Sequence, residues 1–427
     1  MNMKITFTVL SLILLFDDCR PQNLRNAAVK GERRQLQADP VKVGANVMVT
    51  GPAPWSEAFA RIKTFWQDEV DTAGGIKVGA VSHPLDLIVL DNENDIDKAT
   101  ANQALLIAQG VIATLGPYFS SRAIPAGAVS NEKRTTMISA TSTNPATTLN
   151  RPYVFRASFL DSFQGPMIAR FVSTNYGFTK VAIVYECSDA YSQGLADYFK
   201  KAWDEKYGET VAYECIDVSA NSTLTLEDQI PPVVNKVAST DADFMFLPTY
   251  DVVGFAVIKN AYENAAWNGT NSTAVEQARQ MPAMGRLIVG AEAAIDNMPV
   301  LAECGAPCEG VVAVTMFDPM DPSEVTQKFV QDFGEAYNGT VPTSADALTY
   351  DAFKLIENAI SNCGVITGDL QVDRDCVRDA MGNTTDFPGV AGSITFDANG
   401  DPSKCVNFVQ VEGGKQVPLS QLCPETV

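Results

Sequence analysis

Short apolar runs alternate with amphipathic stretches along the chain from residue 41 onward. Residues 41–49 and 85–90 form predicted strands because they are short, largely apolar and bounded by turn residues. Between them, Phe59, Ile62 and Trp66 recur at helical spacing, and the helical pattern ends at a Gly-Gly pair that permits a left-handed turn. This alternation predicts a parallel β-sheet covered by helices on both faces.

The same alternation begins again at Lys180. The predicted strands of this second segment are 181–186, 211–218, 243–250, 287–292 and 310–317, with predicted helices between most of them. The two segments together predict an α/β protein with two doubly wound parallel sheets. In the tail, Asn399-Gly400 lies between two β-rich runs, so we expect a hairpin within residues 392–411.

Hydroxyl side chains are concentrated in residues 110–145, which have the pattern of strand, loop, helix, strand and loop. Ser120 and Ser121 stand where the helix should begin, and Thr141 and Thr143 lie in the loop after the second strand. The carboxyl ends of parallel strands meet at one edge of a sheet, and a helix that begins there presents free N–H groups. The pattern predicts a site for a small anion such as a carboxylate.

Composition excludes several functional classes. The 427 residues are 46% hydrophobic and 19% charged, which is typical of a packed protein with two or three domains. The net charge of −20 argues against partners such as nucleic acid or an anionic membrane surface. The one histidine, His83, lies in a Ser-His-Pro turn, which disfavours His-based metal sites and catalytic triads. The acidic loop Asp91–Asp95 favours a solvated loop over calcium, because Ile96 replaces the glycine and Asn102 the glutamate of a calcium loop.

The N-terminal segment resembles an export signal. Residues 5–16 are apolar and follow Lys4, but they are too few to span a bilayer, so we assign 1–19 to a signal peptide. Its cleavage site and the lipidation of Cys19 stay open. Residues 20–40 are predicted to be a polar linker, and no later run is long enough for a transmembrane helix. We therefore expect a secreted or periplasmic protein whose mature chain spans no membrane.

The other eight cysteines are even in number and lie in neighbouring pairs. Spacing favours the pairs Cys187 with Cys215, Cys304 with Cys308, Cys363 with Cys376, and Cys405 with Cys423, although sequence alone does not fix the connectivity. Such pairs suit an oxidising compartment. Several Asn-x-Ser/Thr triplets leave both a bacterial and a eukaryotic source open.

Motifs in family order resemble those of the leucine/isoleucine/valine-binding proteins, which are type I periplasmic binding proteins that serve ABC importers. The motifs are Gly-Pro-Tyr-Phe-Ser-Ser at 116–121, Ile-Ser-Ala-Thr-Ser-Thr-Asn-Pro at 138–145, and Phe-Arg-x4-Asp-x2-Gln-Gly at 155–165. The resemblance covers residues 41 to 412. It implies two doubly wound lobes joined by three hinge crossings near residues 157, 315 and 392. One lobe would contain 41–157 and 315–392, and the other 158–314 and 393–427.

The resemblance also implies a ligand site for an amino acid. Ser120 and Thr143 match residues that hydrogen-bond the α-carboxylate, and Thr141 matches a position whose backbone holds the zwitterion. Glu292 matches the acid that pairs with the α-ammonium. The remaining matches line or close the site and are Tyr191, Tyr250 and Trp55. Arg122, beside the serines, is assigned to a salt bridge on its helix face.

The expected function is capture of a branched-chain or similar amino acid by hinge closure, for delivery to an ABC importer permease. An alternative is a secreted sensory module of the same fold for amino acids, amides or urea. An enzyme is disfavoured because the chain lacks a G-x-S-x-G motif, a phosphate loop and a metal cluster. We expect a monomer that needs no cofactor and no metal.

Overall fold

The structure, a computed structural model, describes residues 38–51, 55–219, 221–268, 286–294, 301 and 303–424. The signal peptide predicted at 1–19 and most of the predicted linker lie outside the described residues. The first strand begins at Val41. Within the described part of the chain, no helix has the length and apolar character needed to cross a membrane.

The first sheet has five parallel strands in the order β4-β1-β5-β6-β7. Its strands are β1 (Val41–Val47), β4 (Leu85–Asp91), β5 (Ala113–Leu115), β6 (Thr136–Ser139) and β7 (Val154–Arg156). The connecting helices are α1 (Trp55–Thr72), α2 (Ile96–Ala108) and α3 (Ser120–Glu132). Strand β1, which lies between β4 and β5, has glycine at position 44, where a Cβ would lie 3.0–3.2 Å from the side chains of Thr114 and Leu106. The alternation of parallel strands with helices confirms the predicted doubly wound pattern for this half.

A small hairpin between α1 and β4 was not predicted. It pairs β2 (Ile76–Val78) with β3 (Val81–His83). Gly75 begins the turn into it with φ +108°, and a Cβ there would lie 2.3 Å from the His83 carbonyl oxygen. Only glycine fits this close approach. Each strand has three residues, which is too short for an alternation pattern to be read from sequence.

The second sheet has seven strands in the order β14-β13-β12-β11-β10-β8-β9. Its parallel strands are β8 (Lys180–Cys187), β9 (Glu209–Asp217), β10 (Phe244–Leu247), β11 (Leu287–Gly290) and β12 (Val312–Thr315). Its helices are α4 (Asp161–Tyr176), α5 (Ala190–Lys206), α6 (Leu226–Ala238), α7 (Asp251–Glu263) and α8 (Ala265–Asn268). Every residue of β10, β11 and β12 is buried, as expected for strands with both faces covered.

Three helices after β12 return to the first sheet. They are α9 (Glu324–Ala336), α10 (Ser344–Asn362) and α11 (Leu370–Gly382). Helix α10 packs against α1, β2 and β5, and α11 packs against α10 and β6. Two 3₁₀ helices, Pro145–Thr147 and Ala306–Cys308, complete the described helices. The exact lobe boundaries at 157, 315 and 392 stay a prediction.

The tail hairpin lies further along the chain than predicted. The antiparallel pair is β13 (Val406–Glu412) with β14 (Lys415–Leu422), which turns at Gly413-Gly414. At Asn399-Gly400 the chain turns too, but it makes only one bridge, Phe396 to Pro402. Pro402 has no N–H to donate, so the ladder does not extend there. The predicted turn is correct, and the strands assigned to it are wrong.

Four disulfides join the described cysteines in the pairs favoured by spacing: Cys187–Cys215, Cys304–Cys308, Cys363–Cys376 and Cys405–Cys423. The first ties the last residue of β8 to the edge strand β9. The third ties the C-terminus of α10 to α11. The fourth joins the two ends of the β13–β14 hairpin. Each bond therefore fastens elements that are already neighbours within one sheet or one helix pair.

Candidate functional site

All seven residues predicted to contact a ligand line one cavity. The cavity and the open solvent at its mouth together contain about 350 Å³ of space that protein atoms do not fill. It lies beyond the carboxyl ends of strands from both sheets, where ligands of open α/β sheets bind. The predicted residues that line it are Trp55, Ser120, Thr141, Thr143, Tyr191, Tyr250 and Glu292, and the lining residues that sequence reasoning missed are Tyr118, Phe119, Ala293, Met316 and Ser344.

One wall of the cavity consists of hydroxyl groups from the first sheet. Ser120 is the first residue of α3, so its side chain and the helix N-terminus face the same space. The Ser120 hydroxyl accepts hydrogen bonds from the Ser142 hydroxyl at 3.0 Å and from the Asn144 N–H at 3.3 Å. The Thr141 hydroxyl donates to the Tyr118 carbonyl at 3.1 Å. The Thr143 hydroxyl is buried and makes no hydrogen bond within normal distance and angle limits. This wall therefore offers donors to an anion.

A buried arginine holds the loop that carries Thr143. The Arg156 side chain is fully buried and donates to the carbonyl groups of Ser142 at 2.7 Å and Asn144 at 2.9 Å. It also forms an ion pair with Asp401 at 2.6 Å. Because both carbonyls that flank Thr143 are fixed, the backbone of this loop is held in one conformation.

The opposite wall is acidic and comes from the second sheet. Glu292 follows β11, is only 6% exposed, and accepts a hydrogen bond from the Gln164 amide. Burial raises the pKa of the Glu292 carboxyl to about 7. Asp161, the first residue of α4, is buried nearby. Burial, together with the charge of Glu292, raises the pKa of Asp161 well above its usual range.

The Asp161 carboxyl oxygens make no hydrogen bond that meets normal geometry, although the Thr143 hydroxyl is close enough to oppose the rise in pKa. The Tyr191 hydroxyl likewise lies close to Glu292 without a well-formed hydrogen bond. Two buried acids and two underused hydroxyl groups therefore surround the same space. Such an arrangement is stabilised by a bound group with a positive charge and several N–H donors.

Aromatic rings from both sheets meet along one side of the cavity. The ring centroids of Tyr191 and Tyr250 lie 5.0 Å apart, and those of Phe119 and Tyr250 lie 4.9 Å apart in an edge-on arrangement. Trp55 continues the row at 5.1 Å from Phe119 and 6.0 Å from Tyr118. We call Trp55, Phe119 and Tyr250 the aromatic partition. These contacts are in the range of favourable aromatic pairs.

Polar contacts also join the loops of the two sheets beside the cavity. The Ser121 hydroxyl donates to Asp189 at 2.7 Å and accepts from the Ala190 N–H at 3.0 Å. The Asn144 amide donates to the Ala190 carbonyl at 2.6 Å. Arg122 lies 3.6 Å from Asp189, so the predicted salt bridge of Arg122 is present, and its partner belongs to the facing loop. The two halves are thus in contact around the cavity.

Sequence reasoning left two functional neighbours without a role. Asp161 and Gln164 stand three residues apart at the start of α4, so they share one helix face. They belong to the Phe-Arg-x4-Asp-x2-Gln-Gly motif, but nothing in the sequence shows that this face meets Glu292. His83 contacts the Asp39 carbonyl at 2.9 Å and does not line the cavity. Among the described residues, no group of three or more His, Cys, Asp and Glu side chains could hold a metal ion.

Solved structures with the same fold are binding proteins of transport systems. The branched-chain amino acid transporter substrate-binding protein LivJ from Streptococcus pneumoniae, in complex with isoleucine, superposes with a TM-score of 0.74. It is 23% identical, and the match covers 90% of this chain and all of that one. The leucine-binding protein LivK from Thermotoga maritima gives a TM-score of 0.73 at 23% identity, covering 90% of this chain and 99% of that one. The fold is therefore that of the type I periplasmic binding proteins.

Sequence comparison leads to the same group. A Leu/Ile/Val-binding protein homologue from Brucella abortus is 25% identical over 371 residues, which cover 85% of this chain and 88% of that protein. A leucine-, isoleucine-, valine-, threonine- and alanine-binding protein from Pseudomonas aeruginosa is 24% identical over 373 residues, which cover 86% of this chain and 88% of that protein. The model of the periplasmic binding protein family matches residues 40–416. The chain belongs to the periplasmic binding protein family.

Proposed function

We propose that this chain is an extracytoplasmic solute-binding protein that captures an α-amino acid with a branched-chain or similar side chain. Ser120 and Thr143 would donate to the α-carboxylate, and Thr141 would help to hold the zwitterion. Glu292 would pair with the α-ammonium. The proposed acceptor of the bound amino acid is an ABC importer, as for the transporter substrate-binding relatives.

One observation carries the proposal: anion donors and a cation acceptor stand on opposite walls of a single cavity, and each comes from a different sheet. A free α-amino acid has both charges on neighbouring atoms. Burying either charge without a partner is strongly unfavourable, so the cavity suits a ligand that satisfies both walls at once.

The side-chain end of the site is apolar on this proposal. Met316 and the aromatic partition line the cavity together with the polar groups. Aliphatic side chains gain about 25 cal/mol for each Å² of apolar surface removed from water, which favours leucine, isoleucine or valine over small polar residues. The Streptococcus pneumoniae relative binds isoleucine, and the Pseudomonas aeruginosa relative is named for leucine, isoleucine and valine together with threonine and alanine.

We also propose that binding is coupled to closure of two lobes, 41–157 with 315–392 and 158–314 with 393–427. Only a closed arrangement brings Ser120 and Glu292 to the same ligand. A ligand that contacts both shifts the equilibrium toward the closed form by its difference in affinity for the two forms. On this proposal the protein works as a monomer without catalysis.

Calorimetric titration of the purified protein with each of the twenty amino acids tests the proposal. We expect saturable binding of at least one aliphatic amino acid, and no binding of urea or simple amides. Ser120→Ala should weaken this binding about tenfold or more, since a hydrogen bond to a charged group contributes roughly 1.5–3 kcal/mol. Ser82→Ala, at an exposed position of β3, is the matched control and should leave the affinity unchanged. Absence of binding to every amino acid would refute the proposal.

A further inference from the structure

A second cavity adjoins the first and shares the aromatic partition with it. It contains about 800 Å³ of space not filled by protein atoms, part of it open to solvent. Met48 and Arg122 line it from the first sheet, while Glu186 and Val218 line it from the second. Like the first cavity, it lies beyond the carboxyl ends of strands in both sheets. A side chain that passed the partition would therefore leave the first cavity and enter the second.

The charged groups of the second cavity are mostly acidic. Its lining includes Glu186, Asp189 and Asp251, with Arg122 as the one cationic side chain among the described lining residues. Asp189 is already well paired, because it accepts from the N–H groups of Tyr191 at 3.0 Å and Ser192 at 3.1 Å and lies beside Arg122. Arg122 lies beside Asp189 and its charge also acts to lower the pKa of Glu186, but three acids face this one cation, so the lining is acidic on balance.

Glu186 is a buried acid with room for a partner. It is 4% exposed, and one of its carboxyl oxygens accepts from the Tyr250 N–H at 2.7 Å. Burial, with smaller effects from Asp189 and Asp251, raises the pKa of Glu186 to about 8. The side-chain oxygen of Asn94, which lines the same cavity, is buried without a hydrogen-bond donor. The Asn94 oxygen thus lacks a donor, and among the described residues Glu186 accepts from the Tyr250 N–H alone, so a cationic group would bring donors to both.

The two cavities adjoin at the aromatic partition, whose three residues line both of them. Tyr250 lines both cavities. Its side chain lies beside the ligand site, and its backbone N–H donates a hydrogen bond to Glu186. An extended stem of four methylene groups reaches about 6 Å, from C–C bonds of about 1.5 Å. Aromatic faces also suit such a stem, since cations and their methylene groups pack well on Trp, Tyr and Phe.

We propose that the second cavity receives the cationic end of a basic amino acid whose α-carboxylate and α-ammonium occupy the first cavity, with Glu186 as the counter-charge. The ligand class would then include lysine, ornithine and arginine in addition to aliphatic amino acids. This proposal rests on the proposed function, because it needs the amino-acid head group to be held by Ser120, Thr143 and Glu292. It requires the side chains of the aromatic partition to move aside for the stem.

Calorimetric titration with L-leucine, L-ornithine, L-lysine and L-arginine at pH 7.5 tests it, on the wild type and on Glu186→Gln. The substitution keeps the size of the side chain and an oxygen that can accept from Tyr250. We expect the wild type to bind at least one basic amino acid. In Glu186→Gln that affinity should fall about 30-fold or more, as for loss of one partner of a buried charge pair, while leucine affinity changes less than threefold. Glu263→Gln, an exposed acid at the end of α7, is the matched control and should change neither.

The outcomes separate the two proposals. Binding of leucine without binding of any basic amino acid overturns the second cavity's role and leaves the proposed function intact. Equal loss of leucine and lysine affinity in Glu186→Gln also overturns it, because that result makes Glu186 a support of the common site. Failure of the wild type to bind any amino acid removes both proposals. Retained leucine binding by Glu186→Gln shows at the same time that the variant is folded.

Discussion

The proposed ammonium partner should make ligand affinity depend on pH near neutrality. Burial holds the pKa of Glu292 at about 7 in the free protein. A bound ammonium favours the carboxylate form, so the proton on Glu292 competes with the ligand. Lower pH therefore weakens ligand binding, and the affinity reaches its plateau above the pKa of Glu292 in the free protein.

The size of the effect follows from the ionised fraction of Glu292. With a pKa of about 7, half of the protein has the carboxylate at pH 7, about one part in eleven at pH 6, and about one part in a hundred at pH 5. The apparent Kd should therefore rise about fivefold from pH 7 to pH 6 and about 50-fold from pH 7 to pH 5. From pH 7 to pH 8 it should fall about twofold. An aliphatic amino acid keeps both of its charges over this range.

Calorimetry with L-leucine, or with whichever aliphatic amino acid binds best, measures this curve between pH 5 and pH 8. Glu292→Gln should bind more weakly at pH 8 and lose most of the slope. Glu303→Gln, an exposed acid in the same region, should keep the wild-type curve. A wild-type Kd that varies less than twofold between pH 5 and pH 7 would refute the assigned role of Glu292. A slope steeper than the one given would indicate that Asp161 also loses a proton on binding.

Three further predictions concern stability in denaturant titrations. Arg156→Met should lower the free energy of unfolding by about 3–5 kcal/mol, because it leaves a buried carboxylate unpaired, and the loss should be smaller at acidic pH. Replacement of Cys187 and Cys215 by alanine should cost roughly 3–4 kcal/mol, as expected for a closed loop of 28 residues, and a loss below about 1 kcal/mol would contradict this. Gly75→Ala should destabilise more than Gly74→Ala, since both have positive φ but only Gly75 has a carbonyl where the Cβ would go.

Much of the fold follows from the sequence because its strands are short apolar runs between turn residues. The predicted strand at 85–90 is observed at Leu85–Asp91, and the predicted strand at 181–186 is observed at Lys180–Cys187. The hydroxyl-rich segment 110–145 could be recognised as a candidate site because strand ends in a parallel sheet meet at one edge, whereas the residues of the facing wall were named from the family resemblance. Their common cavity did not follow from any single residue type, since a serine that begins a helix is usually only a cap.

The missed elements have identifiable physical causes. The buried face of helix α11 does not show as an apolar pattern in the sequence, because Asp373 and Arg374 are buried together with Val377 and Met381. Arg374 is satisfied by the carbonyl groups at the end of α2 and before β5, a partnership between segments more than 260 residues apart. Hydrophobic periodicity cannot reveal a face that uses charged side chains in this way.

The acidic pair at the site was equally hidden from sequence reasoning. Asp161 and Glu292 are 131 positions apart in the sequence, and each alone resembles an ordinary surface acid. Their effect on each other depends on burial, which only the folded chain provides. The same holds for Glu186, whose cavity is lined by residues at the ends of six strands.

The placement of the disulfides has a consequence for how the protein tolerates its surroundings. Among the described residues, each bond fastens strands or helices that are already neighbours, as Cys187–Cys215 does for an edge strand. None of the four joins an element of the first sheet to an element of the second. The disulfides thus reinforce each half of the molecule separately and do not cross-link the two halves. If the lobes close as proposed, a change from oxidising to reducing conditions should alter how long the protein survives and should leave lobe closure to be governed by the ligand.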